Sequence, residues 1–436
     1  MRVLLVSTYE LGHQPLHVAS PAARLRRAGH EVRCLDLAVE RWDTALVDWA
    51  ERVAFSVPMH TAMRLALRAA AAVRERRPRL PICLYGLYAP VSRDLTAGRL
   101  ADRVIAGEYE PALLAWVEGR DGALPDLQLG RGEFDPPARD LLPPLESYAR
   151  LQVDGEERVV GYVEASHGCV HKCRHCPLPV IYDGRIRIVG ADTVLADIEQ
   201  LVAMGARHIT FGDPDFLNGV RHSLGVVRAM HERWPELTFD VTVKVEHVLE
   251  HAAVWPELAA CGLLFAICAV ECLNDDTLAR LDKGHTAEQA GQAVALLREH
   301  GVEMRPSLMP FTPWTRRDDL RDILDWVVAD DLIGNVDPVH YSIRLLVPEG
   351  SLLLERMTEH VSGYDAEALS YVWAAEDPAM DALQRELAAI AEAGAAADEP
   401  PATTFYKIRR AVVGDEPQID LGSVEGRPRM TEPWFC

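Results

Sequence analysis

No apolar run in this 436-residue chain approaches membrane-spanning length: the longest, "LLFAICAV" at 263–270, falls far short of the roughly 20 residues a bilayer requires. The opening "MRVLLVSTYE" has too short an apolar stretch for a secretory signal, so a cytoplasmic protein is expected. Positive charge is in deficit. Lys and Arg number 45 against 66 Asp and Glu, a formal net charge of -21 that repels phosphate backbones and anionic lipid. Nucleic acid and membranes are therefore excluded as expected partners. Cysteine is scarce too, at nine, and lacks the dense even-numbered pattern of a secreted disulfide scaffold, so reduced thiols are expected. Cys34, Cys83, Cys261 and Cys268 lie in apolar strand-like runs and read as buried, inert thiols. There is no internal repeat beyond a strand-helix unit.

What the chain does contain is alternation. Its length is too great for one ordinary core, which points to two domains with a C-terminal addition. Residues 1–120 hold five strand-like runs, "RVLLVS", "EVRCLDL", "RVAFSV", "PICLYGL" and "DRVIAGE", separated by helix-length segments. That rhythm predicts a doubly wound parallel sheet. Met63, Ala66, Leu67 and Ala70 follow helical spacing and Pro78 closes the segment, an amphipathic helix for packing on that sheet. Residues 121–157 are broken by proline and glycine and read as a linker. From 158 to 350 the alternation resumes through "VVGYVEA", "HITFGD", "FDVTVKV", "LLFAICAVE", "EMRPSLM" and "VHYSIRLL", six units that predict a partial (β/α)6 barrel. Residues 351–436 read as a helical extension, with Leu383, Leu387 and Ile390 in register, Gly394 as a stop, and "AGAAADEPPATT" as a mobile connector. The expected fold class is α/β.

Chemistry concentrates in "EASHGCVHKCRHCPLPV" at 164–180, where Cys169, Cys173 and Cys176 stand among His167, His171 and His175. Soft thiolates select zinc or an iron-sulfur centre. A structural zinc site needs four closed ligands, so a neighbouring histidine or a distant thiol would have to complete it. A 4Fe-4S cluster on three cysteines instead leaves one iron open to a ligand. Asp213, Lys244, Glu271, Arg305 and Arg344 fall at other strand ends, where such barrels place their sites. Helix capping is the competing role for Asp213 and Asp215, surface solvation for Lys244 and Arg305, and plain loop solvation for His167 and His171.

The CxxxCxxC spacing after a barrel strand resembles the radical SAM (S-adenosylmethionine) enzymes. The resemblance implies that Cys169, Cys173 and Cys176 hold a 4Fe-4S cluster whose open iron is chelated by SAM, and that a reductant such as flavodoxin or ferredoxin supplies the electron that cleaves it. In most members a 5'-deoxyadenosyl radical then abstracts hydrogen from substrate. His175 stands where the family has an aromatic residue near the adenine; Gly212, Asp213 and Asp215 of "FGDPDF" and Glu271 stand where members contact SAM; Lys244 and Arg305 are candidates for its carboxylate. Five parallel strands before such a barrel resemble the cobalamin-binding architecture, with His13, Pro58, Tyr85, Gly86, Gly107 and Glu108 just after strands, where a corrinoid would lie. No DxHxxG motif is present, so no cobalt-ligating histidine is implied, and some relatives keep the fold without the cofactor. Nearly the whole chain is similar to the narrower group named for a CUAEP or CCAEP tail, through "SVPMHTAMRLALRAA", "LYGLYA", "DPPARDLLPPLESYARLQ", "HITFGDPDFLNG", "KVEHVLEH", "DKGHT", "PFTPWT" and "TEPWFC". The sequence stops at the first tail cysteine, Cys436, a candidate catalytic thiol; a true terminus and a selenocysteine codon read as stop both account for this ending. The implied function is modification of a small metabolite in natural-product biosynthesis, by cobalamin-dependent methylation, sulfur insertion or aminocarboxypropyl transfer. The alternative is a non-catalytic zinc-stabilised protein binding a small ligand or a corrinoid.

Overall fold

A computed structural model describes residues 1–414 and 427–432, apart from Ser92, Asp121 and Ala123. In the first domain, β1 (Arg2–Ser7), β2 (Glu31–Asp36), β3 (Arg52–Ser56), β4 (Ile82–Tyr85), β5 (Arg103–Gly107) and the short β6 (Leu127–Gln128) form one parallel sheet in the order β2-β1-β3-β4-β5-β6. Sequence reading foresaw five of these; β6 lies inside the expected linker. Alternate residues of the strands feed opposite faces, as the pleat requires. Leu4, Val6, Val53 and Phe55 pack with Met63, Ala66 and Ala70 of the helix His60–Arg76. Val3, Leu5 and Ala54 pack on the other side, with Val18, Ala22 and Leu25 of the helix Leu16–Arg27 and Trp116 of Glu110–Val117. Since β2 and β3 flank β1 on opposite sides, a crevice opens beyond the carboxyl ends of β1 and β3, where a doubly wound sheet binds ligands.

The second sheet begins with an antiparallel hairpin, β7 (Arg150–Val153) and β8 (Glu156–Val163), followed by a small antiparallel pair, β9 (Ser166–Gly168) and β10 (Ile186–Ile188). Parallel strands β11 (His208–Phe211), β12 (Thr238–Val243), β13 (Leu263–Glu271) and β14 (Glu303–Leu308) then extend the sheet from β8. One face carries Ile209, Phe211, Val241 and Ala266, which join the main core together with the crossover helices Ala191–Ala203, Val220–Arg233 and Ala287–Glu299. The expected sixth strand, "VHYSIRLL", is instead a 3-10 turn over Pro338–Ser342, and only the single bridge between Phe311 and Arg344 remains of it. Pro338 starts that turn, and its ring, which bears no N–H, could not continue a ladder.

The C-terminal region is helical as expected, with a hairpin ahead of its helices. A hairpin, β15 (Val361–Asp365) and β16 (Ser370–Trp373), precedes the helix Pro378–Ala396. Gly394 does not stop that helix. It is buried within it, and a Cβ there would strike Thr404 of the next helix, Pro401–Val413. Glycine here permits close helix packing, so the presumed mobile connector is largely helix. The chain then returns as β17 (Arg429–Met430), which pairs with β7 and buries Met430 beside Val160, Phe265 and Ile267.

One buried arginine joins the parts. Arg139, from the linker, is fully buried; it donates to both carboxylate oxygens of Asp197 at 2.9 and 2.8 Å, to the Tyr162 carbonyl at 2.6 Å, and to the Gln14 carbonyl and side-chain oxygen at 3.2 and 3.3 Å. Gln14 belongs to the first domain, and Tyr162 and Asp197 to the second. The stretch that reads as linker is thus an ordered tie between them.

Candidate active site

β8 and the short β9 deliver the chain into the cysteine loop. Cys169 and Cys173 are buried, Cys176 is half-buried, and all three are free thiols. The loop is held by Arg174: its backbone N–H donates to the Leu281 carbonyl at 2.9 Å, and its guanidinium donates to the carbonyls of Ala279 and Arg280 at the end of the helix Asp275–Leu281. A cation on the terminal carbonyls of a helix is favoured by the dipole as well as by hydrogen bonding. On the other side the Asn218 side-chain oxygen accepts from the Val170 N–H at 3.3 Å and lies 3.9 Å from the Cys169 sulfur.

None of the three neighbouring histidines turns to these sulfurs. His167 bridges two carboxylates, with Nδ1 2.9 Å from Glu108 and Nε2 3.2 Å from Glu164. His171 faces His247, and His175 Nε2 lies 3.2 Å from Glu271. The reading of His167 and His171 as solvated loop residues is corrected accordingly. A four-ligand zinc site is therefore not assembled from this loop, whereas three soft thiols with an open fourth position suit a 4Fe-4S cluster. Two buried polar atoms of the loop and its neighbour have no protein partner: Nδ1 of His175 and Nδ2 of Asn218. Buried polar groups of this kind call for a ligand, ion or water to satisfy them, which fits a polar cofactor such as SAM.

Glu271 is held there by unusual backbone. Its φ is +67° and the register of β13 against β14 shifts between Ala269 and Glu271, a bulge that re-aims the side chain. Its carboxylate meets Lys283 Nζ at 2.9 Å as well as His175. Burial opposes the charged form, yet Lys283 and then His175 hold the Glu271 carboxyl well below the usual range. His175 Nε2 is thus committed to Glu271.

Asp213 is buried and accepts from the Ala165 N–H at 2.9 Å and the Ser166 hydroxyl at 2.5 Å. Burial pushes its carboxyl up to about 7. Asp215 adopts the capping role: its side chain accepts from the N–H groups of Leu217 and Lys244 at 2.9 and 3.1 Å and from His247 Nδ1 at 3.0 Å. Lys244 Nζ lies 3.0 Å from Glu246. Gly212 has a steric role, because a Cβ there would overlap the Tyr162 hydroxyl. Arg305 is not at the mouth; its guanidinium is committed to Asp337 at 2.6 Å and the Pro428 carbonyl at 2.8 Å, where it fastens the returning tail. Arg344 likewise pairs with Asp381 at 2.5 Å. Cys436 lies outside the described residues.

Between the crevice of the first sheet and the barrel mouth is a cavity of about 200 Å³, open to solvent. His13, Pro58, Gly86 and Gly107 from the first domain line it opposite Gly168, Gly212 and Pro214. Gly86 and Gly107 have φ of +118° and +72°, and a Cβ on Gly107 would strike the Gln128 carbonyl, so both turns require glycine. These two glycines put bare backbone on the cavity wall beside larger side chains such as Met59, Leu87 and Tyr182. His13 packs against Tyr162 with ring centroids 4.7 Å apart and the rings tilted by 32°. Tyr85 does not reach the cavity; it is buried in the sheet core and donates to the His17 carbonyl at 2.9 Å.

A chain of ionisable groups crosses the domain boundary beside this cavity. His17 Nε2 lies 3.3 Å from Glu164, which also accepts from the Tyr162 hydroxyl at 2.8 Å and contacts His167; His167 continues to Glu108, which accepts from the Tyr182 hydroxyl at 2.9 Å. Burial opposes each charge, but Glu164 and Glu10 raise His17 to about 9, while His17 and His167 lower Glu164 to about 2. Glu108 therefore braces the cysteine loop against the first domain. His17, Glu164 and Lys283 escaped sequence reading as site residues; for the last, the "DKGHT" stretch was the available signal.

A doubly wound domain docked over the mouth of a partial barrel, with three free thiols on the loop after the barrel's first parallel strand, defines the class of architecture. Residues 163–327 match the Radical SAM superfamily, a fold that implies a 4Fe-4S cluster and SAM. The hopanoid C-3 methylase of Methylococcus capsulatus is 24% identical over 346 residues, covering 74% of this chain and 66% of that protein. The ribosomal protein uS12 methylthiotransferase RimO of Bdellovibrio bacteriovorus is 22% identical, covering 63% of this chain and 66% of its own. The chain thus spans about two thirds of the length of the curated relatives it matches. Among solved structures, the cobalamin-dependent SAM radical enzyme OxsB with aqua-cobalamin and SAM bound superposes with a TM-score of 0.70 at 15% identity, covering 93% of this chain and 70% of that one. The radical SAM methyltransferase TsrM from Kitasatospora setae, with cobalamin and a 4Fe-4S cluster, gives 0.58 at 18% identity, covering 76% and 70%. These likenesses establish the fold. Among the described residues no helix is long and apolar enough to cross a membrane.

Proposed function

We propose that the protein is a radical SAM enzyme: Cys169, Cys173 and Cys176 hold a 4Fe-4S cluster, SAM binds at the barrel mouth, and a small molecule in the interdomain cavity is modified. The carrying observation is the set of three free thiols at the mouth of a barrel that matches the Radical SAM superfamily, with every flanking histidine engaged elsewhere. A 4Fe-4S cluster held by these thiols would supply one-electron reduction of the SAM sulfonium, the chemistry that cleaves a carbon-sulfur bond. An external donor such as flavodoxin or ferredoxin supplies that electron.

The chain's own groups position and enclose. Asn218, with an unpartnered buried side-chain nitrogen, and Asp213, whose carboxyl gains charge near neutrality, are assigned to the polar end of SAM. The Glu271–Lys283–His175 cluster keeps a fixed charge pattern beside Cys173 and Cys176. His13, Pro58, Gly86 and Gly107 would hold cobalamin against the cavity wall, where it would supply methyl transfer, with Glu108 bracing that wall to the cysteine loop. The narrower reading, membership of the CUAEP/CCAEP-tail group, rests on the stretches from "SVPMHT" to "TEPWFC", and the role of Cys436 as a catalytic thiol rests on that tail.

Anaerobic reconstitution tests the proposal. Protein loaded with iron and sulfide is expected to release 5'-deoxyadenosine or methylthioadenosine from SAM under dithionite, and Cys173→Ala to abolish this while remaining folded. Retention of zinc in place of the cluster, or undiminished SAM cleavage by Cys173→Ala, would refute it.

A further inference from the structure

At His171 of the cysteine loop begins a cluster to which the function above assigns nothing. His171 Nε2 and His247 Nε2 face each other at 3.1 Å. His247 is buried, at the start of the short helix Val245–Glu250, and its Nδ1 lies 3.0 Å from the carboxylate of the fully buried Asp215. That carboxylate is itself fixed by the N–H groups of Leu217 and Lys244. An imidazole whose Nδ1–H is held by a carboxylate presents the Nε2 lone pair outward in a set direction. The arrangement is the carboxylate–histidine–metal one, in which the carboxylate fixes ring and tautomer and the far nitrogen ligates.

We infer that His171 and His247 bind a divalent transition metal ion through their Nε2 atoms, with Asp215 as the orienting carboxylate. Two nitrogens at 3.1 Å, each about 2.0–2.1 Å from one ion, subtend roughly 100° there, between octahedral and tetrahedral angles. Local charge favours a cation: Asp215 and Glu246 stand against Lys244, and the Asp215 carboxylate lies 3.8 Å from His171 Nε2, with water in the remaining positions. Imidazole with oxygen ligands suits zinc, cobalt(II), nickel or copper(II). The ion ties the cysteine loop, through His171, to the ends of β11 and β12.

The test uses the full chain with Cys169, Cys173 and Cys176 replaced by serine, so that no cluster thiolate competes, titrated with Co²⁺ and monitored by visible absorption and calorimetry. One Co²⁺ per chain with nitrogen and oxygen coordination is expected. His171→Ala and His247→Ala should each abolish saturable binding, Asp215→Asn should weaken it about 10–100-fold, and His251→Ala should leave it unchanged. Anaerobically reconstituted wild-type protein gives a second measurement, in which one zinc per chain beyond the cluster iron is expected and is lost in His247→Gln. No Co²⁺ uptake by the serine variant together with no extra zinc in the wild type would overturn the assignment. So would binding that survives both histidine substitutions, or that depends on His251 and not His171. Failure of SAM cleavage alone would bear on the proposed function and leave the metal assignment standing.

Discussion

Replacing Arg139 with methionine should damage this protein more than any other single change in the linker. The guanidinium is fully buried and satisfies five acceptor contacts, two of them on the equally buried Asp197. Methionine fills much of the space but leaves the Asp197 carboxylate without its counter-charge. Breaking a buried ion pair from one side costs about 3–5 kcal/mol, because the remaining charge is uncompensated. The Gln14 and Tyr162 carbonyls also lose donors, at about 1–3 kcal/mol for a group left unsatisfied. Removing both charges changes the sum. Arg139→Met with Asp197→Leu should cost only the carbonyl part, since a buried pair replaced by apolar residues is often near neutral. Urea unfolding followed by tryptophan fluorescence gives the three free energies and the coupling between the sites. A loss below about 1 kcal/mol for Arg139→Met, or a double variant whose loss equals the sum of the singles, would refute the tie between the domains. Because the same contacts set how the first domain meets the barrel mouth, the single variant should also raise KM for SAM-dependent turnover at temperatures where it remains folded.

Three further outcomes are expected. His17, raised from 6.5 to about 9 by Glu164 and Glu10 against the opposing effect of burial, adds stability that is complete below pH 6.5 and disappears as pH rises through 9; Glu164→Gln should flatten the fall in unfolding midpoint between pH 6.5 and 9, and equal slopes in the two proteins would contradict this. Asp213→Ala should weaken SAM binding by about tenfold in calorimetry, roughly 1.4 kcal/mol, whereas Asp215→Ala should lose about 1–3 kcal/mol of folding stability through its cap and its bond to His247; unaltered SAM affinity in the first, or unaltered stability in the second, would reverse those roles. Gly212→Ala should drive the Tyr162 hydroxyl from Glu164 and cost about 1–3 kcal/mol by overpacking, which a thermal melt equal to wild type would disprove.

Local chemistry carries certain facts about this chain without help from its folding. The spacing of Cys169, Cys173 and Cys176 confines three soft ligands to one loop, and the alternation of apolar runs with helical stretches commits both halves to parallel sheets, because these depend on neighbours in sequence and on the periods of strand and helix. Position at a strand end likewise marked Asp213 and Glu271. Only the tertiary structure decided which charges meet. Arg305 and Asp215 look equally available as isolated polar residues, yet the returning tail occupies one and a helix cap with His247 the other. Gly394 reads as a terminator until Thr404 is seen packed against it. The set of His17, Glu164, His167 and Glu108 has no sequence signature at all, since it exists only where one domain docks on another, and burial at that junction is what makes its charges strong.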